Sequence, residues 1–100
     1  MNINIAKKEI IHFIGIGGIG MSGLALIMKG QGFNVQGSDI NSNKNIERLK
    51  KDKIKIYLNQ SKKNLKNATM TVVSSAIKKT NPEWVEAKRK KIPIIKRGSM

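Results

Sequence analysis

Ile10–Ile14 is a continuous apolar run broken only by His12, and it stops at Gly15. That pattern fits a short strand buried on both faces. From Ile19 the period lengthens: Met21, Leu24, Ala25 and Met28 fall at i, i+3, i+4 and i+7, one stripe of an α-helix that Gly30 and Gly32 bring to a stop. Asn34 to Gly37 predicts a second strand leading into Ser38-Asp39. Asn41, Ser42 and Asn43 offer caps for a helix from about Lys44 to Lys51, with Ile46 and Leu49 as its apolar contacts. Lys55 to Leu58 predicts a third strand with Ile54 at its edge, and Asn59 to Asn67 a polar loop with a helical turn anchored by Leu65. Met70 to Val73 predicts a fourth strand, running into Ser74-Ser75-Ala76. Thr80-Asn81-Pro82-Glu83 starts a helix, with Thr80 or Asn81 capping, Pro82 in the first turn and Glu83 at the positive end of the dipole. It is expected to reach about Lys91 and to bury Trp84, Val85 and Ala87 before Pro93 stops it; Ile94-Ile95 is a fifth strand. Strands alternating with helices at these spacings mean an α/β domain with an open parallel sheet and right-handed crossovers. Met1 to Ala6 either frays or extends the first strand. Gly98-Ser99-Met100 follows a strand with no natural ending, which suggests a piece of something longer.

Composition narrows this picture. One hundred residues with 39% apolar content suit one domain, spanning 1–100, that buries roughly 60 to 65% of its unfolded surface. The absence of cysteine excludes a disulfide framework and Cys-based zinc or iron–sulfur sites, and the single histidine does not favour a transition-metal site. An intracellular or redox-indifferent domain is the simplest reading. The net charge of +14 makes polyanions the first partners to consider: nucleic acid, anionic lipid or a phosphorylated small molecule. Only three of the 20 basic residues are Arg, and a Lys-, Ile- and Asn-rich chain is also what an AT-biased genome produces, so background composition stands beside selection for a partner. The uncharged stretch from Ile10 to Met28, preceded by Lys7 and Lys8, superficially suggests an export signal or a membrane span. Five glycines interrupt it and no A-x-A cleavage pattern follows. Two elements joined by a glycine turn explain it better.

The turn itself carries candidate chemistry. Gly15-Ile-Gly17-Gly18-Ile-Gly20-Met-Ser22-Gly23 satisfies G-x-G-x-x-G between a predicted strand and a predicted helix, the context the motif requires. Gly15 allows a tight turn, Gly17 and Gly18 let a phosphate approach the main chain, and Gly20 lets helix and strand pack closely. Free amides at the helix start then present donors to a diphosphate, and Ser22 adds a hydroxyl. The bland alternative is a purely structural turn. Asp39 lies where an acid meets a nucleoside's polar edge in dinucleotide-binding proteins, or it is a turn or cap residue. Ser74 and Ser75 end the fourth strand on the rim where open α/β sheets bind ligands, or they cap the following turn. No G-x-x-x-x-G-K-[ST] loop exists, and one His with six acids assembles no catalytic set. His12 reads as a packed, hydrogen-bonded core residue, and catalysis by this chain alone is not expected.

Taken together, Ile11 to Gly23, Gly37-Ser38-Asp39, Val73 to Ile77, Asn81-Pro82-Glu83 and Ile92-Pro93-Ile94 before Arg97 resemble the opening domain of the Mur ligases of peptidoglycan synthesis. The similarity is closest to the branch that joins L-alanine to UDP-N-acetylmuramate, and it runs from about Ile10 to Met100. It implies a Rossmann-like fold, an open parallel five-stranded sheet with helices on both faces, holding the UDP part of UDP-N-acetylmuramic acid. The diphosphate would be cradled by Gly15, Gly17, Gly18, Ile19, Gly20, Met21 and Ser22, with Ser38 and Asp39 near the uridine. Ser74, Ser75, Ala76 and Ile77 would line the same cleft, with Gln60 and Arg97 as further contacts. The family usually has a Gly-His pair where this chain has Asn59-Gln60, so a contact there would come from a group that donates a hydrogen bond without charge. ATP and Mg2+ would serve the full-length enzyme from its central and C-terminal domains, together with the L-alanine site, and none would be bound by this domain. The enzyme would be cytoplasmic, with neither nucleic acid nor membrane as partner. Two alternatives remain at this point: a NAD(H)-binding regulatory or dehydrogenase domain, motivated by the glycines and Asp39, and the related ligase that attaches a recycled tripeptide. A nucleic-acid binder would need a coherent basic face with aromatics for stacking, whereas the lysines are dispersed.

Overall fold

The structure, a computed structural model, describes residues 6–97. The readings of Met1 to Ile5 and of Gly98 to Met100 fall outside those residues. Five strands, β1 (Ile10–Ile14), β2 (Asn34–Ser38), β3 (Lys55–Tyr57), β4 (Met70–Val73) and β5 (Ile94–Lys96), form one parallel sheet in the order β3-β2-β1-β4-β5. The helices are α1 (Ile19–Gly30), α2 (Lys44–Lys51) and α3 (Pro82–Arg89), with a 3-10 turn at Lys62–Leu65. The chain leaves β1 for β2 on one side and returns to β4 on the other, so the crossover direction reverses beside β1. Ligands of open α/β sheets bind at such a reversal, outside the carboxyl ends of the strands.

Side-chain alternation along the strands assigns the two faces. Ile11, Phe13, Val35 and Val72 pack with Met21, Ala25 and Met28 of α1 and Ile46 and Leu49 of α2. On the opposite face, Ile14 and Val73 pack with Trp84, while Leu65 of the 3-10 turn packs with Ala68 and Ala87. Helices thus cover both faces. The inward stripe of α3 differs from expectation: Glu83, Trp84 and Ala87 are buried, and Val85 is 52% exposed. Positions i, i+1 and i+4 share a face, and Asn81 capping through Glu83 N–H at 2.9 Å sets the helix phase that turns Val85 outward.

Strand register sets the level of the ligand rim. Ile14 pairs with Ser38 and with Val73, Ser38 pairs with Tyr57, and Val73 pairs with Lys96. The residues that follow, Gly15, Asp39, Leu58, Ser74 and Arg97, therefore leave the sheet together along one edge.

Candidate functional site

A cleft of about 640 Å³ opens on this edge, and among its lining residues are Gly15, Gly18, Asp39, Gln60, Ser74, Ala76 and Ile77. Lys78, Thr80 and Asn81 complete the wall on the side of α3, and Ile40 and Asn41 that on the side of β2. Gly15 has φ +80°, a conformation that strains any residue with a Cβ, and it swings the chain out of β1. Ile77 reaches over it: a Cβ on Gly15 would stand 3.0 Å from the Ile77 Cδ1. Ile77 is brought there by a turn in which its N–H donates to Ser74 O at 3.2 Å. Ser74 faces the cleft, Ser75 is exposed outside it, and among the described residues neither hydroxyl caps the turn.

The donors for an anion lie at the start of α1. Ser22 N–H closes the first helical bond to Gly18 O at 2.8 Å, whereas Ile19, Gly20 and Met21 N–H have no partner among the described residues. These are the orphan amides of a helix N-terminus, carrying partial positive charge. The side chains of Met21 and Ser22 point into the protein, and the Ser22 hydroxyl donates to Ile19 O at 3.1 Å rather than facing the cleft. Gly20 is exposed, and its missing side chain makes room for a cation instead of a strand. A Cβ on Gly20 would stand 2.8 Å from the Cζ of Arg97, so that guanidinium rests on the helix start.

Gly17 is buried and does not line the cleft. Its N–H donates to Asp39 Oδ2 at 2.9 Å, and its carbonyl accepts from Asn45 Nδ2 at 3.0 Å and Asn43 Nδ2 at 3.3 Å. Asp39 Oδ1 accepts from Ile40 N at 2.8 Å and Asn41 N at 3.3 Å. Three of the roughly four acceptor positions of the carboxylate are thus used internally, which leaves little of Asp39 for gripping a ribose diol. Asn43 and Asn45 were not singled out as site residues by motif. Asn43 was legible only as a cap of α2, and nothing local in the sequence marks Asn45.

Behind the cleft floor lies a second polar cluster. Glu83 is fully buried; its Oε1 accepts from His12 Nε2 at 2.7 Å and Ser38 Oγ at 2.6 Å. Its Oε2 accepts from Asn64 Nδ2 at 2.6 Å and Ser61 N at 3.1 Å. Gln36 Nε2 donates both to Asn64 O and to His12 Nδ1, so the imidazole carries its proton on Nε2 and points it at the carboxylate. Burial pushes the Glu83 carboxyl up, but the His12, Ser38 and Asn64 bonds outweigh it and hold the group below the ordinary 4.5. Ser38 is therefore a buried structural residue: its hydroxyl is committed to Glu83, and its carbonyl accepts from Gly15 N and Ile16 N, both at 2.9 Å. Gln60 does face the cleft, its Oε1 accepting from Asn81 Nδ2 at 2.7 Å, which leaves its own amide N–H groups for a ligand.

The model of the Mur ligase family, catalytic domain, matches residues 10–100. Over 100 residues the chain is 70% identical to UDP-N-acetylmuramate–L-alanine ligase of Pelagibacter ubique (strain HTCC1062), covering all of this chain and 22% of that protein. It is 55% identical over 89 residues to the ligase of the same name from Aquifex aeolicus, covering 89% of this chain and 20% of the relative. The chain thus spans about a fifth of the length of these relatives. Among solved structures, UDP-N-acetylmuramate-alanine ligase of Thermotoga maritima superposes with TM-score 0.84 at 38% identity, over 88% of this chain and 20% of that one. UDP-N-acetylmuramate:L-alanyl-gamma-D-glutamyl-meso-diaminopimelate ligase of Neisseria meningitides superposes with TM-score 0.80 at 31% identity, over 89% of this chain and 28% of that one.

Proposed function

The chain belongs to the Mur ligase family, and we propose from that premise that it is the N-terminal domain of a UDP-N-acetylmuramate–L-alanine ligase and holds the UDP part of the muramyl substrate. One observation carries the reading: a cleft at the crossover reversal is bordered by Gly15 and Gly18, next to the uncommitted Ile19, Gly20 and Met21 amides of a twelve-residue helix. Those donors suit a diphosphate. Lys78 in the cleft wall and Arg97 on Gly20 add two cations near it. Ser74, Ala76 and Ile77 on one side and Asp39 and Gln60 on the other would flank the nucleoside and sugar.

The identity pattern favours L-alanine over the tripeptide-adding alternative, because relatives that match at 70% and 55% bear the L-alanine name. The nicotinamide alternative rests on the glycines and Asp39, which serve a UDP ligand equally well, whereas the relatives that match at 70% and 55% bear the name of a UDP-N-acetylmuramate ligase.

The ATP and Mg2+ that such a ligase uses do not fit the residues present. The chain has no G-x-x-x-x-G-K-[ST] loop, and among the described residues no three His, Asp or Glu side chains cluster as metal ligands. We therefore place the ATP, metal and L-alanine sites outside this chain, and no step of amide-bond formation falls on its residues. A cytoplasmic setting accords with nucleotide substrates; no helix among the described residues is long and apolar enough to cross a membrane. Competition calorimetry tests the reading. UDP-N-acetylmuramate and UDP should displace one another from one site, while NADH fails to displace either; displacement by NADH at lower concentration than UDP would refute it.

A further inference from the structure

Glycine has the widest φ/ψ freedom of any residue, so a glycine turn offers amides to a ligand only if something outside the turn holds it. Here both peptide planes flanking the Gly17 Cα are held. The plane that carries Gly17 N–H is fixed by Asp39 Oδ2 at 2.9 Å, and the plane that carries Gly17 C=O by Asn45 Nδ2 at 3.0 Å and Asn43 Nδ2 at 3.3 Å. Pinning both planes sets φ on one side and ψ on the other. All three side chains come from the segment between the end of β2 and the first turn of α2. That segment is itself anchored: Asn43 Oδ1 caps α2 by accepting from Ile46 N at 2.9 Å, and Ile46 is fully buried. The fit is close, since a Cβ on Gly17 would stand 2.7 Å from Asp39 Oδ2 and 3.1 Å from Ile46 Cδ1.

We propose that Asn45, with Asn43 and Asp39, is a positioning residue for the diphosphate turn: the start of α2 latches Gly17 so that the Ile19, Gly20 and Met21 amides are preorganised before a ligand arrives. The proposal rests on the diphosphate reading of the turn. Asn45 is its sharpest probe, because it is half-buried, and among the described residues its side chain hydrogen-bonds only the Gly17 carbonyl and caps no helix. A ligand that must order the turn itself binds more weakly by the ordering cost.

Asn45→Asp keeps the shape and places an acid in a helix's first turn, which favours the helix, but it cannot donate to a carbonyl. Asn45→Ala removes the donor without adding charge, and Lys44→Ala, one residue away, serves as control. Each chain is followed in two ways: by amide hydrogen exchange without ligand, read at Gly17 and Gly18, whose N–H groups are bonded to Asp39 Oδ2 and Gly15 O, relative to β1, and by UDP titration. Both Asn45 variants should exchange faster at the turn than the parent and bind UDP roughly three- to tenfold more weakly, as loss of one hydrogen bond implies. Lys44→Ala should match the parent. Unchanged exchange at the turn would overturn the latch whatever UDP does. Faster exchange with unchanged UDP affinity would overturn the positioning role. Faster exchange in a chain whose unsubstituted parent does not bind UDP would instead overturn the diphosphate reading, and the positioning role with it.

Discussion

Four hydrogen-bond donors converge on the Glu83 carboxylate, from His12, Ser38, Asn64 and the Ser61 amide, and each oxygen takes two of them. An amide in its place accepts on one side only, so Glu83→Gln leaves donors facing donors. It should cost about 2–4 kcal/mol at pH 7, measured by urea denaturation. The same group makes stability depend on pH. Its folded pKa lies below the ordinary 4.5, so its contribution is complete above that value and drains away as the pH falls through the folded value. The parent should lose stability on going from pH 5 toward pH 3 more steeply than Glu83→Gln; parallel curves would show that the carboxylate is not what the network needs charged. Gly37 makes the companion case. Gly37→Ala would put a Cβ 2.4 Å from Ile16 Cδ1 and 2.6 Å from Ile16 Cβ, a clash with a buried side chain that has no room to retreat. A loss of about 1–3 kcal/mol in urea is expected.

At the scale of elements, local signals were readable and contacts between elements were not. Asn43 as a cap, Ile46 and Leu49 as the buried pair of α2, and the Asn81-Pro82-Glu83 start of α3 all follow from residues within one turn of each other. The Gly17 latch does not, because it arises only when β2 lies beside β1 and brings Asn43 and Asn45 across a separation of 26 and 28 residues. The same limit explains Gly20, read as a close helix–strand contact but found beneath Arg97, and Ser38, read as a ligand contact but found bonded to Glu83. Ile46→Ala should cost about 2–5 kcal/mol by opening a cavity under α2. Amide exchange at Gly17 should rise with it, since the latch rests on that helix.

For the whole molecule, the alternation of strand and helix was enough to predict a parallel five-stranded sheet, and right-handed crossovers left few other ways to assemble it. The glycine motif and the cleft fall on the same edge of the sheet. The motif could not say that Gly17 faces inward, since its burial depends on Asp39, Asn43 and Ile46 from the β2–α2 segment, whereas Met21 already stood on the apolar stripe of α1. The net charge of +14 is spread over the surface, while Lys78 lines the cleft and Arg97 lies over Gly20. Lys78→Ala should weaken UDP binding by about tenfold and flatten its salt dependence. The most direct measurement is a titration of the 15N-labelled chain with UDP-N-acetylmuramate, followed amide by amide. Shifts concentrated at Ile19, Gly20 and Met21, with smaller ones at Gln60, Ser74 and Lys78, are predicted. Shifts that avoid the turn and cluster elsewhere, or no shifts at millimolar ligand, would contradict the assignment of this edge as the site for the diphosphate.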